Sequence, residues 1–183
     1  MTSDENYILT GNAVERYFDL HKALLEFSSL FDYSEPNERS IAIVGATYLE
    51  MILDHILLAF FPEDDKEVLR LLDYNGPLGN FSNKISMCYC LGLIDKTIRD
   101  DLTLVRKIRN KFAHEMVIRF TDEPMQSWCR DLKWHKISLT PFPPKDATSR
   151  DLFQVGVHQL ISHLNGCVGT ARNQKRTLLN NFT

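Results

Sequence analysis

Near the middle of the chain, Leu102 to Glu115 reads LTLVRKIRNKFAHE, and three of its residues could act together on a phosphate ester. Arg109 offers a planar donor fork suited to a phosphate, and it stays charged. His114 can exchange a proton near neutral pH. Asn110 lies four residues before His114, so the two share one helical flank, with Arg109 a little way round the cylinder. This set suffices for metal-independent RNA cleavage by internal attack of the 2′-hydroxyl. His114 would move the proton, Arg109 would hold the phosphate charge and Asn110 would orient the group. Arg106, Lys107 and Lys111 would supply further phosphate contacts. The same residue types have a plain structural use. Asn and His near a helix C-terminus satisfy nearby carbonyls, and Arg pairs with an acid such as Asp100 or Asp101.

The element that must position them is a helix. Leu102, Val105, Ile108 and Phe112 recur at three- and four-residue steps, which gives one apolar face for a core. From Asp95 to Arg119 there are seven basic residues (Lys96, Arg99, Arg106, Lys107, Arg109, Lys111, Arg119) against four acidic ones (Asp95, Asp100, Asp101, Glu115). The segment is therefore +3 inside a chain whose net charge is −3. The overall balance gives no general attraction to nucleic acid. The local excess fits either a solvated face laced with ion pairs or a phosphate-facing patch.

The rest of the chain reads as scaffold. Its 183 residues suit one domain with a sizeable core. Residues 1–11 form a loose arm, and a helix is expected from Asn12 to about Phe31. Tyr33 to Arg39, with Pro36, reads as a connection. Ser40 is the expected N-cap of a very apolar helix reaching Phe61. Glu50, Asp54 and His55 inside that helix argue against lipid and for a buried core helix. After Pro62, Asp64 or Asp65 can open a short helix through Leu72.

Asn75-Gly76-Pro77-Leu78-Gly79 is turn chemistry, in which Gly permits positive φ and Pro fixes it. It has no Lys-Ser/Thr ending, so nucleotide binding is not expected. Phe81 to Leu91 forms the next segment, closed by Gly92, and the central helix opens at about Asp95. Met116 to Phe120 is a short apolar run, extended or a lid over the cleft. Thr121 or Asp122 is the expected cap of a helix holding Met125, Trp128 and Leu132. Residues 133–148, with Pro141, Pro143 and Pro144, form a long loop. A last helix runs from near Ser149 toward Arg172, and residues 173–183 are a tail in which Lys175 and Arg176 are followed by Leu178, Leu179 and Phe182. Cys88, Cys90, Cys129 and Cys167 have no zinc-like spacing, and His158 and His163 are five apart, so no metal and no cofactor are expected. Cys88 and Cys90 read as small core residues. The N-terminus lacks a signal sequence, which favours the cytoplasm. No segment shows sustained period-two alternation with hairpin turns. The fold class is therefore all-α: residues 12–172 as a single-domain antiparallel bundle of five to seven helices.

Two resemblances bear on function. Arg109-Asn110-Lys111-Phe112-Ala113-His114 resembles the Arg-x4-6-His motif of the HEPN superfamily of small helical bundles. Many of its members are metal-independent ribonucleases that act as dimers, and others are binding modules. A longer match runs from Leu72-Asp73-Tyr74-Asn75-Gly76-Pro77-Leu78-Gly79-Asn80-Phe81-Ser82-Asn83-Lys84-Ile85 through Tyr89 and Leu91-Gly92-Leu93-Ile94. It continues past the Arg-x4-His ending to Phe120-Thr121-Asp122 and resembles the mannitol operon repressor (MtlR-type) family. That resemblance implies an all-helical transcriptional regulator, or repressor, without a recognisable DNA-binding motif. A homodimer is implied as well, with a regulatory protein as partner. No basic recognition helix is visible, so sequence-specific DNA binding would lack a reader. Three functions follow: a regulator acting through protein contacts, an endoribonuclease (toxin or defence effector) using Arg109, Asn110 and His114 on an RNA, and a non-catalytic helical adaptor.

Overall fold

A computed structural model describes residues 37–63, 66–134 and 146–179. The expected arm, the helix at 12–31, the middle of the Pro-rich loop and the end of the tail lie outside the described residues. Within them the chain is all-α, with six helices and no strand.

Helix α1 spans Glu38–Phe60, α2 Lys66–Leu72, α3 Phe81–Cys90, α4 Lys96–His114, α5 Met125–Asp131 and α6 Ser149–Asn173. The centre of the bundle is α1, against which α3, α4 and α6 pack. It is long and apolar enough to cross a membrane. Its buried face, including Leu49, Ile52, Leu53, Ile56 and Leu57, is however spent on these neighbours. The expectation of a core helix therefore matches its packing.

The start of α1 differs from the sequence reading. Asn37 is the N-cap, accepting from Ser40 N at 3.0 Å, and Ser40 sits inside the first turn. The short amide side chain reaches the free N–H at the third helical position, which is what an N-cap does. This start also brings Glu38 and Arg39, assigned to a connection from sequence, onto the helix. The far end stops at Phe60, with Phe61 as C-cap.

The turn before α3 needs its glycines for space and not for positive φ. A Cβ on Gly76 would lie 2.3 Å from Arg70 O, and one on Gly79 would lie 2.3 Å from Tyr74 O. The backbone closes on itself there through Leu78 N to Leu71 O at 2.8 Å. The left-handed residue is Gly92, at φ 70°. Gly92 N donates to Tyr89 O and Leu93 N to Cys88 O, the paired bonds of a Schellman ending.

Asp95 caps α4 by accepting from Ile98 N at 2.9 Å. Leu102, Val105, Ile108 and Phe112 are fully buried, as the periodicity requires. Phe112 continues a chain of rings, 4.8 Å to Phe120 and from there 5.1 Å to Phe153 on α6. Neither Thr121 nor Asp122 caps α5. Pro124 holds the cap position with no side-chain bond, and the Asp122 carboxylate instead accepts from Arg119 N at 2.8 Å. Thr148 and Asp151 form a reciprocal capping box that opens α6. The chain after α6 returns to the end of α1: Arg176 N donates to Phe60 O at 2.7 Å and Lys175 pairs with Glu63 at 3.2 Å.

Candidate functional site

On an α-helix a five-residue step turns the side chain through about 500°, so two such residues point about 140° apart. That is the relation between Arg109 and His114. Arg109 is turned toward α1, where its guanidinium lies 3.7 Å from Glu50 Oε2. His114, the last residue of α4, is exposed. Lys107, Asn110 and His114 follow the outward flank at steps of three and four, so the structure brings these three together. Arg109 stands apart from them on the side facing α1. Arg106 is half-buried and Lys107 exposed, and neither forms an ion pair with another described residue. Lys111 pairs with Glu115 one turn on.

The acids expected to hold the arginine of the cluster are committed to other groups. Asp100 binds Lys96 at 2.7 Å and Arg99 at 2.6 Å. Hydrogen bonds from those two side chains, Lys96 first, hold its carboxyl well below the usual carboxylate range. Asp101 is fully buried and accepts from Lys133 N at 3.0 Å and Trp134 N at 2.8 Å. Burial pushes its pKa up, and the two backbone bonds oppose that shift. Asp101 thus anchors the chain leaving α5 onto α4.

Sequence reasoning missed two charged groups. The first is Lys84 on α3, which is buried, with its ammonium 2.8 Å from Asp54 Oδ2 and 3.4 Å from Glu50 Oε1. Glu50 is shared between Lys84 and Arg109, so a single charge network links α1, α3 and α4. The apolar neighbours Phe81 and Ile85 hinted that position 84 faces inward. The second is Arg39. Its guanidinium donates to the carbonyls of Phe112, Glu115 and Met116, the last at 3.0 Å. The first two are groups that the end of α4 leaves without intrahelical partners. Beside it, the Glu38 carboxylate accepts from Phe120 N at 2.8 Å. No local pattern in the sequence links Arg39 to a helix end more than 70 residues away.

The run after His114 forms no strand. It is irregular, with Phe120 buried and Met116 and Val117 exposed by 93% and 89%. The buried cysteines offer little reactivity. Cys88 and Cys129 are buried, and burial pushes the Cys129 thiol up to about 12. Both stay protonated at neutral pH, so neither is a thiolate nucleophile. Cys90 is exposed, which corrects its reading as a core residue. Among the described residues no three His, Cys, Asp or Glu side chains form a metal-binding group. A cavity of about 280 Å³ lies between α1 and α2, lined by Met51, Asp54, His55, Leu58, Leu69, Leu72 and Asp73, none of them a residue of α4.

Comparison with known proteins gives concordant matches. A family model described as mannitol repressor matches residues 33–165. The mannitol operon repressor of Escherichia coli K12 is 30% identical over 112 residues, covering 58% of this chain and 56% of that protein. The repressor of Escherichia coli O6:H1 strain CFT073 gives the same figures. The chain thus spans little more than half the length of these curated relatives. Among solved structures, a chain of the X-ray structure of the MtlR–HPr complex from Escherichia coli superposes with a TM-score of 0.60. That likeness covers 79% of this chain and 97% of the other at 24% identity, and it bears on the fold alone.

Proposed function

The chain belongs to the mannitol repressor family, and from that premise we propose that it is a cytoplasmic transcriptional regulator acting, as a homodimer, through contact with a protein partner. The observation that carries this reading is the family match over residues 33–165, which takes in α1 to α5 and most of α6. The similar solved chain comes from a complex of MtlR with HPr, and a protein of the HPr kind is accordingly the partner proposed here.

The charge distribution supports protein contacts over direct operator reading. A recognition helix must offer several polar and basic side chains to base edges. Helix α4, with the local basic excess, has its apolar face in the core and most of its cations paired: Lys96 and Arg99 to Asp100, Arg109 to Glu50, Lys111 to Glu115. The test is a binding comparison. The purified chain should bind HPr from the same organism, and any DNA binding should vanish above about 150 mM salt, where purely electrostatic association fades. Operator binding that persists there, with no HPr binding, would refute the reading.

A second reading is favoured by the exposure of His114 on the same helical flank as Lys107, which forms no ion pair with another described residue. Under it the protein is a metal-independent endoribonuclease, with His114 as acid or base, Asn110 as orienting group, Arg106 and Lys107 on the RNA backbone, and Arg109 as phosphate clamp and Lys111 as a further contact once the RNA draws them from Glu50 and Glu115. Cleavage of single-stranded RNA in EDTA, leaving cyclic phosphate ends and abolished by His114→Ala, is the expected outcome. Intact RNA across a broad panel would rule it out.

A further inference from the structure

Helix α1 has two apolar faces of unequal depth. Leu49, Ile52, Leu53, Ile56 and Leu57 are sealed in the core, whereas Met51 and Leu58 on the neighbouring flank are only half-buried. Those two belong to the run Met51, Asp54, His55 and Leu58, whose steps of three and four set them along one strip of the helix. Across from this strip α2 offers Leu69 and Leu72. The bond from Asp73 N to Leu69 O, at 3.0 Å, carries the helical turn one residue further and sets Asp73 on the same side. The two strips are the walls of the cavity of about 280 Å³. Leu69 keeps 46% of its surface exposed there, so one wall is apolar and open to water.

Size and charge restrict what would fill it. An apolar cavity of about 150 Å³ holds benzene, so this one has room for a body of that kind with a short polar attachment. Four of the seven lining side chains are apolar, and a polyol would leave most of its hydroxyls there without partners. Among the described residues the lining holds two carboxylates and no lysine or arginine, which disfavours an anion. Of the two, Asp54 is already answered by Lys84 at 2.8 Å. Asp73 is exposed at the rim and forms no ion pair with another described residue. Its Oδ1 accepts only from a backbone group on the page, Asn75 N at 3.1 Å. It also directly follows the last residue of α2, where the helix end carries partial negative charge and a further negative group is unfavourable. A cation placed there answers both.

We propose that the cavity between α1 and α2 is a binding site for a small organic cation, an ammonium group on a compact apolar body. The body lies between Met51 and Leu58 on one side and Leu69 and Leu72 on the other. The ammonium stands at the rim, against the Asp73 carboxylate and the carbonyl end of α2. None of these residues belongs to α4, and the inference does not depend on the protein-contact reading above.

Benzylamine, charged at neutral pH, is the probe, and benzyl alcohol is its uncharged counterpart of the same shape. The full chain, isotope-labelled at its Met and Leu methyl groups, is titrated with each and followed by NMR. Benzylamine should shift the methyl resonances of Met51, Leu58, Leu69 and Leu72 with a Kd on the order of 1 mM. Benzyl alcohol should bind about fivefold more weakly, the scale of one partly exposed ion pair. That preference should shrink at about 300 mM NaCl, as screening predicts. Asp73→Asn keeps the acceptor for Asn75 N but removes the charge, so it should erase the preference for the amine at an unchanged melting temperature. Leu69→Trp puts an indole into the cavity from its open wall and should block both probes. Equal affinity of the wild-type chain for the two probes, or a lasting preference for the amine in Asp73→Asn, would overturn the assignment of a cation. Shifts confined to other methyl groups, or none at any soluble concentration of benzylamine, would overturn the site itself.

Discussion

Replacing Arg39 with Ala tests how the end of α4 is held. One guanidinium serves three carbonyls, those of Phe112, Glu115 and Met116, from a half-buried position. Hydrogen bonds from a charged donor contribute about 1.5–3 kcal/mol each in net terms. The three do not add to the full sum, because the Met116 carbonyl is exposed and water can replace the arginine there. The Phe112 carbonyl lies deeper, and its lost partner is the larger cost. A total of about 2–4 kcal/mol follows, or roughly 4–16 °C in melting temperature at about 2–4 °C per kcal/mol for a domain of this size. Arg39→Lys is the informative control. It keeps a positive charge at the negative end of the helix, worth about 0.3–1 kcal/mol, but an ammonium cannot fork across three acceptors. It should therefore recover less than half of the loss. Urea unfolding followed by circular dichroism gives the free energies. Amide exchange at Glu115–Phe120 should speed up in both variants while the amides of α6 stay protected. Equal stability of the Ala variant and wild type, or full recovery by Lys, would show that the arginine is not the clamp described here.

Other expectations follow from the same structure. Gly76→Ala puts a Cβ 2.3 Å from a backbone oxygen that cannot move aside, and should cost several kcal/mol, whereas Gly92→Ala meets nothing within 4 Å and should cost only the left-handed penalty of about 1–2 kcal/mol; thermal melts of the two variants decide. Lys84→Met leaves Asp54 and Glu50 without the ammonium between them, and should lose about 2–3 kcal/mol, below the range for fully buried pairs because both carboxylates are partly exposed; unchanged urea midpoints would refute it. Asp101→Ala removes the acceptor of two backbone N–H groups and should cost about 2–4 kcal/mol, with Asp101→Asn less damaging because one acceptor oxygen remains. The two neighbouring carboxylates should also act oppositely on the pH dependence of stability. Asp100, depressed by Lys96 and Arg99, contributes stability that is present above its unfolded value of about 4 and lost as pH falls below it. Asp101, raised by burial, binds its proton more tightly folded than unfolded, so its contribution declines as pH rises from about 4 through the folded value. Urea titrations of Asp100→Asn and Asp101→Asn between pH 3 and 7 should show slopes changed in opposite directions.

Much of the architecture was legible because it depends on period and punctuation. The stripe Leu102, Val105, Ile108, Phe112 placed the buried face of α4, and all four are sealed in the core. Asp95, Gly92 and the Ser149 start marked boundaries by cap chemistry that acts over a few residues. The errors came where two local solutions competed. Asn37 and Ser40 are both good caps, and the nearer helix turn used Asn37. Asp122 is a good cap too, but its carboxylate is engaged by Arg119 N, so α5 starts without one.

The candidate site was less legible, for a reason that is geometrical. The Arg-Asn-x-x-x-His spelling fixes residue types and their angular offset, and a single helix separates Arg109 from His114 by about 140°. Which acid answers Arg109 depends on the crossing of α4 over α1, which brings up Glu50, whereas Asp100 and Asp101 lie about two turns back along α4, out of its reach. Glu50 is in turn held by Lys84, so the arginine of the motif is tied into the packing of three helices. The histidine is not: it stands at the exposed helix end, beside the loop that Arg39 holds. A motif read as one unit is thus divided by the fold into a half that binds helices together and a half that faces outward. The two halves should separate in a mutant series. Arg109→Ala should lower stability with little direct effect on partner binding, whereas His114→Ala should leave the melting temperature unchanged and alter binding alone. Equal destabilisation by both, measured side by side in thermal melts and calorimetry, would mean that the motif acts as a structural unit after all.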